Sequence, residues 1–329
     1  MIYGHGDDTF QFQQIRMNFS SNICSQADLT PLKTHLAHCL DAIQNYPDPA
    51  ADSLAQLLAE HHGISPDNVL VTNGATDAIY LIVQTFAPDL THFSTDEPTF
   101  SEYADASRLF GLEQSNGGLR WLCNPNNPDG RTYSPQQIVE EAEHSSVLVV
   151  DQSYEDYTQA SLLSAKEALN LPNVLLLHSL TKTYAVPGLR IGYVTAPAPL
   201  IARLRRAARP WAVNALAVEA GKWLLHHDVR AVQNLPALLA ETQRLAHALA
   251  DIPHLHVTPT TTTFMLVRCD ILTAAELKQR LISEYHILIR DASNFPTLTP
   301  HHFRIATQQP QENDALIHAL RSIILGNSF

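Results

Sequence analysis

The chain has 329 residues, of which 45% are apolar and 16% charged, and its formal net charge is −12. That length is long for a single hydrophobic core and suits two packed units, and the balance is globular, not disordered. The acidic excess argues against a nucleic-acid surface, which needs a cationic face, and no apolar run approaches the ~20 residues of a membrane span.

Met1 to Asp8 carries acids and no apolar core segment, so no signal peptide is expected and a cytoplasmic protein is the simplest reading. Cys24, Cys39, Cys123 and Cys269 form no C-x-x-C pair, and their wide spacing suggests neither a zinc framework nor disulfides. Among the 17 histidines, His61-His62, His226-His227 and His301-His302 are adjacent pairs that point apart on a helix or strand. His35, His38 and Cys39 fall at helical i, i+3, i+4 spacing, but the neighbouring sequence offers no further ligand. Surface or half-buried side chains are the expectation for all of them.

Along the chain, Val69 to Thr72 is a short apolar run, Asn73-Gly74 breaks it, and Ala75 to Phe86 follows as a helix. Leu119 to Cys123 is a second strand, ahead of the turn-rich Asn124 to Gly130. Ser134-Pro135 opens a helix with an N-cap and a proline at its first position. Val147 to Val150 ends at Asp151, Val174 to Leu177 ends at His178-Ser179, and Ile191 to Val194 follows. Short β-rich runs without alternation, separated by helices, predict a mostly parallel sheet covered on both faces. Pro199 to His227 reads as helical, and Leu235 to Ala250 as a further helix. Leu255 to Val257, Phe264 to Arg268, Ile287 to Arg290 and Phe303 to Ala306 read as strands around a Glu276 to Glu284 helix. The expected division is an N-terminal arm over 1–40, a large α/β domain over 41–228 and a smaller α+β domain over 229–329.

In an open parallel sheet, ligands bind beyond the carboxyl ends of the strands. Gly74-Ala75-Thr76, Asn127, Asp151, Tyr154, Ser179, Thr181 and Lys182 fall at such ends, and Arg190 is expected to open the next strand. Taken singly, each has a plainer reading: a Gly-Ala-Thr before a helix is usually a turn, an acid at a strand end a cap, a lysine after a strand solvated. Together they could place a phosphate cradle, an acid, a lysine and an arginine in one crevice.

Ser179-Leu180-Thr181-Lys182, followed by Gly188-Leu189-Arg190-Ile191-Gly192, resembles the cofactor-lysine signature of fold-type-I aminotransferases. Asn124-Pro125-Asn126-Asn127-Pro128-Asp129-Gly130 resembles that family's N-P-N-N-P-T-G loop, with Asp129 in place of Thr, and Asp151-Gln152-Ser153-Tyr154 resembles its D-E-A-Y. The resemblance implies a seven-stranded, mostly parallel sheet in a large domain that binds pyridoxal 5′-phosphate (PLP), plus a smaller α+β domain. It makes Lys182 the Schiff-base lysine and proton shuttle, and Asp151 the partner of the pyridine nitrogen. Asn127 and Tyr154 would bind the 3′ oxygen. Gly74, Ala75, Thr76, Ser179, Thr181 and Arg190 would form the phosphate site, and Phe100 would stack on the ring. Arg304 matches the arginine for the substrate carboxylate. Tyr46 matches a tyrosine that reaches the phosphate from a neighbouring subunit, which implies a homodimer with shared active sites.

Within the family, five segments resemble the threonine-phosphate decarboxylases: His5-Gly6, Asn18 to Ile23, Pro98 to Tyr103, Pro210 to Ala217 and Ile289 to Phe295. The histidinol-phosphate aminotransferases share the cofactor residues but usually not these. Both groups act on a phosphorylated amine, so His5, Asn22 and Arg290 become candidates for the substrate phosphate. Two features depart from the decarboxylases: Gln308 stands where a second arginine often follows Arg304, and only nine residues separate Gly111 from Trp121. Decarboxylation of threonine phosphate is the leading expectation. Transamination of the histidinol-phosphate type and a catalytically silent PLP-binding module are the alternatives.

Overall fold

A computed structural model describes residues 8–12, 14–25 and 27–326. Its first strand, β1 (Met17–Asn18), belongs to the N-terminal arm. Seven strands then build the main sheet: β2 (Val69–Thr72), β3 (His92–Thr95), β4 (Glu113–Gln114), β5 (Leu119–Cys123), β6 (Val147–Asp151), β7 (Val174–His178) and β8 (Gly192–Thr195). Their spatial order is β2-β8-β7-β6-β5-β3-β4. All neighbours run parallel except β8, which is antiparallel to both β2 and β7.

β2, β6, β7 and β8 are buried at every position. That is why their sequences run apolar without alternation: both faces need apolar side chains. In β7, Leu175 and Leu177 pack with Ile79, Ile82 and Phe86 of the Gly74–Phe86 helix, and Val174 and Leu176 pack on the other face with Ile138 and Leu163. Five of the seven strands fall within a residue or two of the expected runs. β3 and β4 are not among those expected. β3 is His-Phe-Ser-Thr with its two ends half-exposed, and β4 is two exposed residues at the sheet edge. Both lie toward the same side of the sheet, where side chains can stay in water, so no apolar run marks them.

The segment expected as one helix from Pro199 to His227 is two, Ala198–Ala207 and Ala215–His227. Pro210 interrupts it, with Trp211 at φ +60°. Proline cannot supply a helical N–H and pushes the residue before it out of helical geometry.

The remaining strands are β9 (Leu255–Val257), β10 (Phe264–Cys269), β11 (Ile287–Leu288), β12 (Arg290–Asp291) and β13 (His302–Ala306). An antiparallel sheet of order β12-β13-β10-β9 packs on the Leu235–Ala250, Ala274–Tyr285 and Pro310–Gly326 helices. The expected strand Ile287 to Arg290 divides at Ile289: β11 pairs with β1 instead, and β12 with β13. Phe19 follows β1, donates its N–H to Leu288 O at 2.8 Å and accepts from Ala306 N at 2.9 Å. Its ring is fully buried in the small core. This anchoring sets Ser20 to Ile23 beside β13. Among the described residues, no helix is long and apolar enough to cross a membrane.

Candidate active site

A cavity of about 370 Å³ lies beyond the carboxyl ends of β5, β6 and β7, where the arm and β13 meet the main sheet. Ala75, Thr76, Phe100, Asn127, Asp151, Tyr154, Ser179, Thr181, Lys182, Arg190, Asn22 and Arg304 all line it. Gly74, Arg290 and Tyr46 do not, and His5 lies outside the described residues.

At one end, the Gly74–Phe86 helix begins directly after β2. First-turn N–H groups lack intrahelical partners, so this end suits an anion. Gly74 has φ +82°, and a Cβ there would stand 2.7 Å from Arg190 Nη2. The missing side chain therefore lets the guanidinium lie against the turn. Arg190 itself is left-handed, at φ +55°, and donates through Nη1 to Pro187 O at 3.1 Å. It does not open the next strand as expected: it precedes β8 across this bend. The buried Ser179 and Thr181 hydroxyls lie 2.7 Å apart. Gly192 holds β8 close under the turn, since a Cβ there would come within 2.7 Å of both Ala75 N and Gly74 C. Those atoms are backbone and cannot swing aside. Gly192→Ala is expected to cost about 1–3 kcal/mol of stability, read as a lowered urea midpoint.

Asp151 ends β6 and is buried. Its Oδ2 accepts from Tyr103 OH and its Oδ1 from Ser153 N, at 2.7 and 2.8 Å. Burial pushes its pKa up, against the lowering effect of those neutral donors. A cation arriving in the cavity would offset that desolvation. Tyr103 is buried too, stacked on Trp121 at 5.0 Å and edge-on to Phe100 at 5.6 Å. No local signal assigns it a role, although it ends the Pro98 to Tyr103 segment that resembles the decarboxylases. Tyr103→Phe keeps the stack and removes the donor. A hydrogen bond to a charged group is worth about 1.5–3 kcal/mol, so a roughly ten- to hundredfold loss in cofactor affinity or kcat is expected, measured by cofactor titration and initial rates.

The other end is built by β13, the arm and the Asn124 to Gly130 loop. Arg304 is buried, and its Nη1 donates to Asn127 Oδ1 at 2.5 Å and its Nη2 to Ser20 O at 2.7 Å. Its Nε has no partner, and burial pushes its pKa down to about 10. Asn22 is buried as well, and neither polar atom of its amide finds a hydrogen-bond partner. Orphaned groups like these are expensive unless a ligand satisfies them. Burial likewise pushes Tyr154 up to about 12, with Arg304 acting in the opposite direction. Arg290 sits directly across the strand pair from Arg304 and donates to Asn294 Oδ1 at 2.8 Å. Two guanidiniums set opposite each other repel, and an anion between or beside them relieves the repulsion.

The sequence profile described as Aminotransferase class I and II matches residues 14–120 and 113–320, nearly the whole chain. The chain belongs to the class I and II aminotransferase family. Threonine-phosphate decarboxylase of Salmonella typhimurium is 31% identical, over 94% of this chain and 92% of its own length. Histidinol-phosphate aminotransferase of Desulfitobacterium hafniense is 29% identical, over 86% of this chain and 85% of its own. Among solved structures, L-threonine-O-3-phosphate decarboxylase from Porphyromonas gingivalis matches with a TM-score of 0.90 and 36% identity, covering 94% of this chain and 100% of that one.

The class I and II aminotransferase family is PLP-dependent, and the chain is an enzyme of that cofactor class. The cavity fits the cofactor on its own chemistry. It offers a dianion cradle at a helix start, a buried carboxylate lacking a strong cationic partner, an aromatic face and a lysine. Gln308 lies outside the cavity lining; its buried amide accepts from Ser25 Oγ at 2.5 Å and donates to Ala306 O at 3.4 Å.

Proposed function

We propose that the protein decarboxylates L-threonine O-3-phosphate to (R)-1-amino-2-propanol O-2-phosphate, a step of cobalamin biosynthesis. The observation that carries this reading is the likeness, over 94% of the chain, to two proteins named for that activity. The opposed Arg290 and Arg304 add support, because the substrate presents a carboxylate and a phosphate.

Ala75, Thr76, Ser179, Thr181 and Arg190 would hold the cofactor phosphate, Asp151 its ring nitrogen, Asn127 and Tyr154 its ring oxygen, and Phe100 its ring face. Bound there, PLP supplies an electron sink for the pair released at the substrate Cα. Arg304 binds the substrate carboxylate, with its unpartnered Nε and the second N–H of each Nη as donors. Arg290 and Asn22 receive the substrate phosphate, and His5 is a further candidate for it. This binding away from the reacting carbon aligns the scissile bond. Lys182 Nζ then returns a proton to Cα, so one C–C bond breaks, one C–H bond forms and carbon dioxide leaves. Transamination needs the same residues, with the Cα–H bond aligned for cleavage instead.

Two copies would share the active sites. Tyr46 is 83% exposed and packs at 5.0 Å on Trp211, itself 47% exposed, with Ile43 exposed nearby in the chain. Apolar side chains so exposed suit burial against a second copy, whose own Tyr46 would reach the cofactor phosphate.

The deciding experiment incubates the PLP-loaded protein with threonine phosphate, with and without 2-oxoglutarate. Carbon dioxide release without the oxo acid is the expected result. Strict dependence on 2-oxoglutarate, with glutamate formed, would establish transamination instead.

A further inference from the structure

We infer that His35, Cys39 and Glu219 form a three-ligand site for Zn²⁺ or a similar divalent transition ion, away from the cofactor cavity. His35 lies in the Thr30–His38 helix and Cys39 caps its C-terminus, at i, i+4 spacing on one face. The helix Ala215–His227 packs against it and brings in Glu219. All three side chains are half-buried, and their ligand atoms lie within 4.8 Å of one another.

The distances fit zinc chemistry. Donors about 2.3 Å (sulfur) and about 2.0–2.1 Å (nitrogen) from a tetrahedral zinc stand about 3.6 Å apart. Cys39 Sγ and His35 Nε2 are 3.5 Å apart already. The Glu219 carboxylate needs to close by about 1 Å to reach a third corner of that tetrahedron. Its Oε1 now accepts from Lys222 Nζ at 2.8 Å, a pair whose side chains are 32% and 33% exposed. An ion pair so open to water holds weakly and yields to a metal bond. The His35 ring is braced by stacking on Trp223, from the same helix as Glu219, at 5.9 Å.

A thiolate with an imidazole favours Zn²⁺, Co²⁺ or Cu⁺, and the carboxylate shifts preference toward the divalent ions. Three protein ligands leave a fourth position for water, so the ion exchanges rather than being locked in. Binding displaces the Cys39 thiol proton, and affinity therefore rises with pH. His38, the neighbouring imidazole, is exposed and occupied with Thr34 O at 2.8 Å, so it stays outside the set. The bound ion would tie the helix that leads toward Tyr46 to the Ala215–His227 helix.

Co²⁺ is the probe. The full-length, PLP-loaded protein is stripped with chelator, kept reduced and titrated with Co²⁺, reading the visible d–d bands, where the cofactor does not absorb. One equivalent with tetrahedral, thiolate-type intensity is expected, displaced by one equivalent of Zn²⁺. Cys39→Ser should abolish the signal, although Cys24, Cys123 and Cys269 remain, without changing PLP content or metal-free melting. Glu219→Gln should weaken Co²⁺ by more than the roughly 10–100-fold that loss of an outer-shell partner costs. No such band, or one that survives Cys39→Ser, overturns the site. Unchanged affinity in Glu219→Gln overturns the three-ligand set.

Discussion

Lys182→Ala is expected to lower turnover of threonine phosphate by at least about 10³-fold, within the range general acid–base catalysis supplies. Lys182 stands in the short helical turn Leu180–Thr183 after β7, between the buried Thr181 and the turn's end. Its own backbone carbonyl accepts from Tyr157 OH at 2.9 Å, and its Nζ lies 5.8 Å from the Tyr154 ring centroid. The main chain is thus anchored independently of the amine, so the truncated variant should fold. Lys182→Arg separates charge from chemistry: it keeps a cation but has no amine that can give up a proton at neutral pH. It should be as inactive as the alanine variant. Initial rates, together with the loss of the lysine–cofactor absorbance in the loaded protein before any amine is added, check both. Full turnover by Lys182→Ala would remove the basis of the mechanism.

Asp151→Asn should act with opposite signs on the cofactor-free and the cofactor-loaded protein. Burial raises the Asp151 pKa in the folded state. An acid with a raised folded pKa contributes stability that is complete at low pH and is lost as pH rises through that folded value. At neutral pH the empty protein therefore carries an unfavourable buried charge. Removing it should leave the melting temperature of the cofactor-free protein unchanged or higher, with a weaker pH dependence above the ordinary carboxylate range. The loaded protein should lose. Breaking a buried ion pair costs about 3–5 kcal/mol, equivalent to about 10²–10⁴-fold in cofactor affinity or kcat. A cofactor titration and paired melts with and without PLP read the two effects. If the cofactor-free variant is destabilised as much as the loaded one, Asp151 is a structural residue and not the ring-nitrogen partner.

The cofactor half of the cavity is legible in the sequence because its residues follow strand ends. Gly74 to Thr76, Asp151 and Ser179 to Lys182 each sit within a few residues of an apolar run. The substrate half is less so. Arg304 meets Asn127 and Ser20 across three distant parts of the chain, and Arg290 opposes Arg304 only through the β12–β13 register. Resemblance singled out these residues; spacing did not. Tyr103 carries no local signal of its role, because nothing near it shows that its hydroxyl would touch a carboxylate 48 residues away.

Element type and the strand-end turns follow from the chain alone, since helical and extended periodicity and turn chemistry act over a few residues. The alternation of buried strands and helices was enough to indicate the α/β class. Which strands stay polar toward one side of the sheet and how β11 leaves β12 for the arm were settled only by packing, whereas the helix break at Pro210 follows from local proline chemistry. Tertiary structure also decided which lone polar groups meet. His35 and Cys39 declare themselves by helical spacing, but Glu219 joins them only because two helices dock. Contacts of that kind depend on sheet order, register and helix packing, which no local stretch of sequence encodes.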